Sequence, residues 1–449
     1  MIAEIPYPEN VPDLFETISD LPWPVFLDSC GLGRYDMFCA APFATLVTRQ
    51  GITEITDGKG TTYSSGDPFD LVRKKLLPHA APDRLPFMGG AIGYFGYDLG
   101  LALHGIPSGK IGSGIPDLAV GLYDWAVIID HEKRSAHLAS NCRDAGTGAL
   151  WDELLVRLNS PGEARRLAYA FSGKIEISPD FREYALAFEK IKHYIACGDC
   201  YQVNFAQQFE APFEGDAWAL YRDLRKASPA PFSAYFSNPH CQILSASPER
   251  FLRVEGRSVQ TQPIKGTRPR SRNPEEDAWL ANDLLESEKD RAENLMIVDL
   301  LRNDLGRVCE TGTVKVEKLF EIAHYATVHH LVSTVTGRLG ESHDAISALR
   351  SAFPGGSITG APKIRAMQII EELEPFRRGP YCGSFARIGF DGNMDSSITI
   401  RTLIASKGRA RFWAGGGIVS DSTLDAEYQE IRDKAKVMLG LMESARSSC

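Results

Sequence analysis

Strand hairpins and long helices follow one another along this chain without regular alternation, and this order constrains the fold more than any other feature. Residues 43–60 (FATLVTRQGITEITDGKG) and 118–140 (LAVGLYDWAVIIDHEKRSAHLAS) contain apolar runs joined by turn residues, which predicts hairpins. Residues 181–196 have the apolar spacing of a helix, and a second helical region follows Asn273-Pro274. Because a parallel sheet requires strands and helices to alternate, this pattern favours an α+β fold.

A polar segment at residues 160–179 divides the chain into an N-terminal part, residues 1–170, and a C-terminal part, residues 171–449. Ser178-Pro179 is typical of a helix start, with Ser178 as the N-cap and the proline in the first turn. Further helices are predicted after Pro362 and in the segment DAEYQEIRDKAKVMLGLM. The sequence contains neither a Rossmann nor a Walker glycine fingerprint.

The composition excludes several classes of protein. The 449 residues are 43% hydrophobic and 24% charged with a formal net charge of −9, which argues against a nucleic-acid-binding protein. The sequence contains no run of about eighteen apolar residues that would predict a membrane span. The first residues lack the apolar core of a secretory signal. Nine scattered cysteines without an export signal favour free thiols in the cytoplasm.

The segment TQPIKGTRPR, residues 261–270, places a lysine next to a glycine in a predicted hairpin. If the hairpin turns at Glu255-Gly256, Lys265 lies opposite Ala246, and Glu249 lies within roughly 10 Å of it. The lysine and the glutamate are then either a cross-strand ion pair of little energetic consequence or an amine and an acid held for chemistry.

Two helical segments carry paired carboxylates on one face. Asp290 and Glu293 are three residues apart, and so are Glu427 and Glu430, with Lys434 one turn further along. Like charges at this spacing require counter-charges, which are either basic neighbours in solvent or a metal ion. Since Mg²⁺ binds a few carboxylates together with substrate oxygens and water, the two faces are a candidate Mg²⁺ site.

Glycine runs and one isolated arginine indicate a site for an anion. Gly415, Gly416 and Gly417 follow a strand-like segment and are predicted to precede a helix, as is Gly355-Gly356. Backbone N–H groups can approach an anion at such positions. Arg401, among apolar neighbours in the predicted strand SSITIRTLIA, requires a paired anion. The residues alone therefore predict a site for a small polyanion with Mg²⁺, an acid and a candidate amine nucleophile.

These segments resemble the chorismate-utilising enzymes, a family that includes anthranilate, isochorismate and salicylate synthases. The shared motifs occur in the family's order: GDCYQVNFAQ, SASPERF, QPIKGTRPR, DRAENLMIVDLLRNDLGRV, VHHLVSTV, FPGGSITGAPKIRAM, SITIRTL and AGGGIVSDS. The resemblance covers nearly the whole chain. It implies one composite α+β unit in which two large antiparallel β-sheets pack as a sandwich with helices on the outside. The boundary near residue 170 is then not a structural one.

Two positions indicate a branch of this family. Anthranilate synthases usually carry alanine at the position of Lys265, whereas the enzymes that make 4-amino-4-deoxychorismate carry lysine. Isochorismate and salicylate synthases carry a water-activating lysine at the position of Gln202. The resemblance therefore implies conversion of chorismate and ammonia to 4-amino-4-deoxychorismate in p-aminobenzoate and folate synthesis. The alternatives are an anthranilate synthase large subunit and a non-catalytic tryptophan-binding relative.

The resemblance also implies roles for individual residues. Lys265 adds to C2 of the chorismate ring while Glu249, as general acid, protonates the departing C4 hydroxyl. Thr267 and His330 face the ring, although His330 is also consistent with a packed, hydrogen-bonded histidine. The remaining assignments are Mg²⁺ held by Glu293 and Glu430 with Asp290 and Glu427 behind them, and substrate contacts from Gln202, Tyr381, Arg401, Gly415, Gly417 and Lys434.

The resemblance implies two partners besides chorismate. Ammonia comes from a separate glutaminase subunit, and this chain contains no glutaminase nucleophile motif of the GxCxG kind. Tryptophan often binds in a pocket lined by segments that match PVFLDS and PAPFSAYF, which here include Ser29, Pro231 and Phe232.

Overall fold

The computed structural model describes residues 1–77, 84–160, 168–324 and 328–445. The strands are β1 (Ile2–Ile5), β2 (Val25–Asp28), β3 (Tyr35–Cys39), β4 (Ala44–Arg49), β5 (Ile52–Asp57), β6 (Gly60–Ser64), β7 (Gly90–Phe95), β8 (Leu118–Tyr123), β9 (Trp125–Asp130), β10 (Ser135–Ser140), β11 (Tyr169–Phe171), β12 (Glu176–Ser178), β13 (Gln202–Gly215), β14 (Phe232–Asn238), β15 (Cys241–Ser247), β16 (Arg250–Glu255), β17 (Ser258–Thr261), β18 (Ile264–Pro269), β19 (Lys315–His324), β20 (Val328–Arg338), β21 (Gly360–Ala361), β22 (Ser384–Gly389), β23 (Met394–Ile398), β24 (Thr402–Ser406) and β25 (Arg409–Ile418).

The helices surround these strands. They are α1 (Val11–Glu16), α2 (Pro68–Leu76), α3 (Asp98–Leu103), α4 (Ala145–Asn159), α5 (Phe181–Ala196), α6 (Ala217–Ala227), α7 (Pro274–Glu286), α8 (Glu288–Gly306), α9 (Ala345–Ala352), α10 (Lys363–Leu373) and α11 (Leu424–Ser444), with a 3-10 turn (Gly356–Ile358) between α9 and α10. None of these described helices is long and apolar enough to cross a membrane.

A 13-stranded and a 12-stranded antiparallel sheet form the body of the described fold. The first sheet is hydrogen-bonded in the order β1-β10-β9-β3-β2-β14-β15-β24-β25-β13-β11, and β12 and β21 also pair with β13. The second sheet has the order β18-β20-β17-β16-β23-β22-β7-β8-β4-β5-β6, and β19 also pairs with β20. Each sheet contains strands from both sides of residue 170, so the N-terminal and C-terminal parts of the chain share both sheets.

The two sheets pack against each other through aromatic and aliphatic side chains. Phe236 of β14 contacts Tyr94 of β7 and Phe385 of β22, with ring centroids 6.4 and 5.7 Å apart. Every position of β7 and β8 is buried, because both faces of these strands are covered. Outside the sheets, α6 buries Trp218 and Tyr221 on its inner face. The predicted α+β fold, with two packed antiparallel sheets and external helices, is confirmed.

The predicted N-terminal hairpins are partly confirmed. Residues 43–60 contain the paired strands β4 and β5. The hairpin predicted over residues 118–140 is correct only for β9 and β10, because β8 belongs to the other sheet, where it pairs with β4 and β7. The chain changes sheet at Asp124. Its buried carboxylate accepts hydrogen bonds from the backbone N–H groups of Arg143 and Asp144 at 2.8 and 3.0 Å.

The helix predicted over residues 181–196 is confirmed as α5, but its start differs from the prediction. Asp180 is the N-cap: its side chain accepts the Glu183 N–H at 2.8 Å, and Glu183 Oε2 accepts the Asp180 N–H at 2.9 Å. Ser178, the predicted cap, is the last residue of β12. The predicted connecting segment contains β11 and β12, and its residues 161–167 lie outside the described ranges.

The register predicted for Lys265 is wrong. β16 and β17 form the expected hairpin. Pro263 has no N–H to donate and ends the regular pairing that follows this hairpin. The chain pairs again as β18, which lies against β20 with Lys265 opposite Leu331. Ala246, the predicted neighbour of Lys265, pairs with Ser233 in the first sheet. Lys265 therefore reaches its site from a different strand pair than the hairpin pattern suggests.

One buried ion pair joins the first sheet to the 3-10 turn. The side chains of Arg378 and Glu374 are each 1% exposed and form two hydrogen bonds, Nε to Oε2 at 2.9 Å and Nη2 to Oε1 at 2.7 Å. Arg378 also donates to the carbonyl oxygens of Asn204 in β13, at 2.7 Å, and of Ile358 in the 3-10 turn, at 3.0 Å. Glu374 Oε1 accepts the Ala206 N–H at 3.0 Å. The pair thereby fixes β13 relative to the 3-10 turn.

Removal of one member of this pair is expected to destabilise the fold strongly. Arg378→Met leaves the Glu374 carboxylate buried and unpaired, so we expect the free energy of unfolding to fall by about 3–5 kcal/mol. Addition of Glu374→Leu should recover part of this loss, because no charge then remains buried. Urea unfolding followed by circular dichroism measures both effects. Arg302→Met, which removes an exposed pair with Asp299, is the control, and equal stability of the two arginine variants would contradict the prediction.

Candidate active site

A cavity of about 670 Å³ is lined by residues of β18, β20, β25, α8 and α11 and therefore draws on both sheets. The predicted site residues that line it are Glu249, Lys265, Thr267, Asp290, Glu293, His330, Tyr381, Arg401, Gly415, Gly417, Glu427, Glu430 and Lys434. Gln202 is the predicted substrate contact that does not line this cavity. The two sheets and two helices thus bring nearly the whole predicted set together.

A glycine bulge directs Lys265 and Thr267 into the cavity. The two residues oppose consecutive residues of β20, so Gly266 is an extra residue in β18. Gly266 has a φ of 76°, and a Cβ at this position would lie 2.8 Å from Cγ of Asp290. Glycine avoids both the left-handed strain and the overlap, which explains why it follows the lysine.

Ser357 of the 3-10 turn contacts both the predicted nucleophile and the predicted acid. Its hydroxyl donates to Oε1 of Glu249 at 2.8 Å, and its carbonyl oxygen accepts a hydrogen bond from Nζ of Lys265 at 3.3 Å. Glu249 is 7% exposed. Burial raises the pKa of its carboxyl, although this hydrogen bond and the Lys265 and Lys434 ammonium groups act in the opposite direction. The raised pKa favours the protonated carboxyl, which is the form that a general acid requires.

His330 is a neutral hydrogen-bonding group near pH 7. Burial, and to a smaller extent the positive charge of Arg401, lower the pKa of its imidazole to about 4, although a hydrogen bond with the Gly266 backbone acts in the opposite direction. Its Nδ1 lies 2.9 Å from Oγ1 of Thr267. The imidazole therefore orients the Thr267 hydroxyl and is not a cationic acid at neutral pH.

Arg401 and Tyr381 are suited to bind a carboxylate. Arg401 does not continue the predicted strand but lies between β23 and β24 with a φ of 49°, a costly conformation that is concentrated at functional sites. Its guanidinium has no carboxylate partner among the described residues. Tyr381 is buried and stacks on Trp413, with ring centroids 5.7 Å apart and planes inclined by 11°. An unpaired guanidinium in a cavity is a ready partner for an anionic ligand.

Carboxylates of α8 and α11 face the cavity together. The predicted single helical region is two helices, because Ser287 separates α7 from α8 and its side chain accepts the Asp290 N–H at 3.3 Å. Nζ of Lys289 lies 3.9 Å from Oε1 of Glu293 and 4.0 Å from Oε1 of Glu427. This half-exposed lysine therefore provides positive charge between the two helices.

The carboxylates differ in how readily they ionise. Burial raises the pKa of Glu293 and of Glu427, and a 2.6 Å hydrogen bond from Ser422 offsets part of this effect in Glu427. The pKa of Glu430 is lowered: burial is the largest effect and raises it, but Lys434, whose Nζ lies 2.6 Å from Oε1, acts together with Lys265 and Lys289 to outweigh burial. Glu293 and Glu427 are therefore harder to ionise than free carboxyls, and the main cause is their burial.

These carboxylates fit Mg²⁺. Oε2 of Glu427 is buried and has no hydrogen-bond partner within the described ranges. In that same part of the chain, no group of three or more His, Cys, Asp or Glu side chains is arranged to hold a metal ion on its own. Mg²⁺ commonly takes one or two protein carboxylates and completes its shell with substrate oxygens and water. Glu293 and Glu430, together with an anionic ligand in the cavity, are therefore a suitable set.

The glycine run that includes Gly415 and Gly417 lies inside β25 and not before a helix. A Cβ at Gly415 would lie 2.7 Å from the carbonyl oxygen of Phe205, and a Cβ at Gly417 would overlap Nε2 of Gln202. Glycine therefore lets β25 pack closely on β13. Gln202 is 1% exposed and packs against Gly417, and its amide has no hydrogen-bond partner among the described residues, so its position does not support the predicted substrate contact.

The anion site predicted at Gly355 and Gly356 is not formed. Both glycines are buried, and added Cβ atoms would meet the side chains of Ile398 and Leu300. Gly355 precedes the 3-10 turn and Gly356 is its first residue, and their packing helps to place Ser357 in the cavity.

A second cavity, of about 700 Å³, lies at the residues predicted to line an amino-acid pocket. Ser29, Pro231 and Phe232 line it. The guanidinium of Arg250 lies 4.9 Å from the centroid of the Phe232 ring and forms an ion pair with Asp395 at 2.9 Å. The cavity combines an aromatic wall with charges of both signs, which suits a zwitterion with a flat side chain.

Four residues that line the first cavity carry no recognisable pattern in the sequence: Asn204, Lys289, Ser357 and Trp413. All four lie inside or directly beside quoted motifs, so proximity to a motif was the available signal. Serine, asparagine and tryptophan in such segments are as typical of packing as of chemistry, and only the folded arrangement separates the two roles.

The chain belongs to the chorismate-binding enzyme family, whose model matches residues 25–440. Its relatives include two proteins named aminodeoxychorismate synthase component 1. The protein from Klebsiella aerogenes is 46% identical over 97% of both chains, and the protein from Escherichia coli K12 is 44% identical over 96% of this chain and 95% of its own. Anthranilate synthase component 1 of Thermus thermophilus is 43% identical over 94% of this chain and 92% of its own.

Solved structures agree with this assignment. Anthranilate synthase component I from Streptococcus pneumoniae TIGR4 has a TM-score of 0.81 and 34% identity, over 90% of this chain and 92% of its own. The menaquinone-specific isochorismate synthase MenF from Escherichia coli has a TM-score of 0.73 at 18% identity, over 98% of this chain and 94% of its own, and shows the shared fold alone. The chain is therefore an enzyme of the chorismate-binding family.

Proposed function

We propose that this chain converts chorismate and ammonia to 4-amino-4-deoxychorismate, with Mg²⁺ as cofactor, in the synthesis of p-aminobenzoate and folate. The observation that carries the proposal is the position of Lys265, whose amine shares one cavity with the buried Glu249 carboxyl and with Ser357, which contacts both. The names of relatives that are 44 and 46% identical support the same activity. Lysine at this position also argues against anthranilate synthesis, since the resemblance implies alanine there.

Lys265 and Glu249 carry out the first half of the proposed reaction. The neutral amine attacks C2 of the ring, the two conjugated ring double bonds shift, and the C4–O bond breaks. Glu249 gives its proton to the departing hydroxyl, which leaves as water, and the lysine nitrogen releases one proton. In the second half, ammonia attacks C4 and releases a proton, the two double bonds shift back, and the C2–N bond breaks. The released protons return to Glu249 and to the leaving amine.

The remaining residues bind and orient the substrate in this proposal. Arg401 and Tyr381 bind the enolpyruvyl carboxylate, and Thr267 and neutral His330 face the ring. When bound, Mg²⁺ supplies positive charge that neutralises the ring carboxylate. Glu293 and Glu430 hold the ion, Asp290 and Glu427 support these ligands, and Gly415, Gly417 and Lys434 line the pocket around the carboxylate.

Two partners complete the proposal. The component 1 in the names of the relatives implies a second component, and we assign to it the supply of ammonia from glutamine. Tryptophan is the proposed occupant of the second cavity, where Phe232 provides an aromatic contact and Ser29 and Pro231 complete the wall.

Product identification tests the activity. With chorismate, Mg²⁺ and an ammonium salt, mass spectrometry should detect 4-amino-4-deoxychorismate, and glutamine should replace the ammonium salt only after a glutaminase subunit is added. Fluorescent anthranilate, formed without a lyase, would identify an anthranilate synthase instead. Absence of turnover under all conditions would leave a non-catalytic binding protein.

A covalent adduct on Lys265 is expected when ammonia is left out, because the second attack then has no attacker. Its mass should equal that of chorismate less one water, and digestion should place it on the peptide that contains PIKGT. Lys265→Ala and Lys265→Arg should not form it, since a guanidinium stays protonated. Lys318→Ala, which changes an exposed lysine of β19, should react as the parent does. Turnover with ammonia but no adduct in its absence would reduce Lys265 to an electrostatic role.

Mg²⁺ affinity should depend on both proposed ligands. Glu293→Gln and Glu430→Gln are expected to weaken binding about tenfold or more with little change in thermal stability, because both side chains face the cavity. Calorimetric titration of MgCl₂ into protein with chorismate measures this in a Lys265→Ala background, which cannot form the adduct. Glu288→Gln, at an exposed position of α8, the helix that carries Glu293, is the control. Unchanged affinity in both variants would remove these residues from the metal site.

A further inference from the structure

Ser357 is the group that both reacting side chains of the proposed mechanism contact. Its hydroxyl lies 2.8 Å from Oε1 of Glu249, and its carbonyl oxygen lies 3.3 Å from Nζ of Lys265. Oε2 of Glu249 has no hydrogen-bond partner among the described residues, and the carboxyl lines the cavity. One oxygen of the acid is therefore held while the other is available to a ligand.

We propose that Ser357 is a positioning residue that holds Glu249 and Lys265 at a fixed separation through the reaction cycle. The inference rests on the proposed roles of those two residues. The hydroxyl anchors Oε1, so that Oε2 carries the proton to the departing hydroxyl of the substrate. The carbonyl oxygen accepts an N–H of the lysine amine and directs its nitrogen toward the cavity.

A hydroxyl donor is suited to this task because Oε1 of Glu249 can accept its hydrogen bond in both protonation states of the carboxyl. The Ser357 hydroxyl donates to Oε1 in the structure, and Oε1 remains an acceptor when Oε2 carries the proton. Glu249 thus keeps one anchor before and after it gives up its proton.

The backbone around Ser357 is held firmly enough to act as a reference point. Arg378 donates to the carbonyl oxygen of Ile358 at 3.0 Å, and Oγ1 of Thr359 donates to the carbonyl oxygen of Gly355 at 2.9 Å. The flanking Gly356 is buried against the Leu300 side chain. The buried ion pair described above therefore supports the serine as well as the strands.

The charged and titratable groups around Glu249 determine what loss of the hydroxyl should do. Lys265 from β18 and Lys434 from α11 favour the ionised form of Glu249. Besides burial, the negative charge of Glu249 in turn contributes to the raised pKa of Cys382. The hydrogen bond from Ser357 lowers the pKa of Glu249 against the effect of burial. Without the hydroxyl this pKa should rise further, so the acid should remain protonated to higher pH.

The test is the pH dependence of adduct formation, measured by quenched-flow mass spectrometry with chorismate and Mg²⁺. Ser357→Ala is expected to slow adduct formation by about 10- to 100-fold near neutral pH, the range for loss of one hydrogen bond to a charged group. In the plot of the rate of adduct formation against pH, the limb assigned to Glu249 should move to higher pH. The KM for chorismate should change little. Ser357→Thr, which keeps the hydroxyl, should restore both the rate and the limb.

Two controls separate failure of this inference from failure of the proposed function. Ser351→Ala removes a hydroxyl that donates to the Asp304 carbonyl oxygen outside the cavity. It should change neither the rate of adduct formation nor the limb of its pH profile. Glu249→Gln should abolish the limb. If it does, but Ser357→Ala has the parent rate and limb, the positioning role is wrong and the acid assignment stands. If Glu249→Gln keeps the parent rate and limb, the proposed acid is wrong and the inference falls with it.

Discussion

The desolvated guanidinium of Arg378 is the group on which the geometry of the site depends. A buried charge is tolerated only when its hydrogen-bonding capacity is met, and here Glu374, Asn204 and Ile358 meet it. The rings of Tyr97 and Tyr381 also lie over the guanidinium, with centroids 4.6 and 5.7 Å from its carbon. Because the N–H donors of the guanidinium point in fixed directions, they fix the positions of β13 and the 3-10 turn. The Tyr381 ring is held over the same group. Packing alone would not specify these positions so narrowly.

The cavity has an uneven distribution of charge that is consistent with a dianionic substrate. Arg401 is an unpaired cation, whereas Glu293 and Glu427, on α8 and α11, have pKa values raised chiefly by burial. A carboxylate ligand can bind directly at the arginine, but near Glu293 and Glu427 it would lie beside carboxylates that repel it when they are ionised. A divalent cation bound there would remove this conflict. The Mg²⁺ of the proposed function would therefore act where the helices place these carboxylates, and the proposal does not depend on a ready-made cage of three ligands.

Local patterns predicted the elements of this fold better than their pairing. The apolar spacing of α5 and the turn of β9 and β10 are properties of adjacent residues, and both were predictable. The partner of β18 was not, because Pro263 interrupts a hairpin whose continuation depends on a strand more than sixty residues away in the chain (Lys265 opposite Leu331). The paired carboxylates of α8 and α11 were found from their helical spacing, and the other proposed site residues were found from the motifs that resemble the family. Ser357 was not, since a serine in a glycine-rich turn has no distinctive spacing.

The position of the reactive amine is what distinguishes the proposed chemistry from that of other family members. Gln202 occupies the place where the resemblance implies a water-activating lysine in isochorismate and salicylate synthases, and here an uncharged amide is packed against Gly417. An amide cannot take a proton from water at neutral pH. The amine is found instead on β18, at Lys265, where the Gly266 bulge and Ser357 direct it into the cavity beside Glu249. In the proposed function the shared fold supports an attack by an amine and not by water, because the lysine lies on β18 and an amide lies at the position of Gln202.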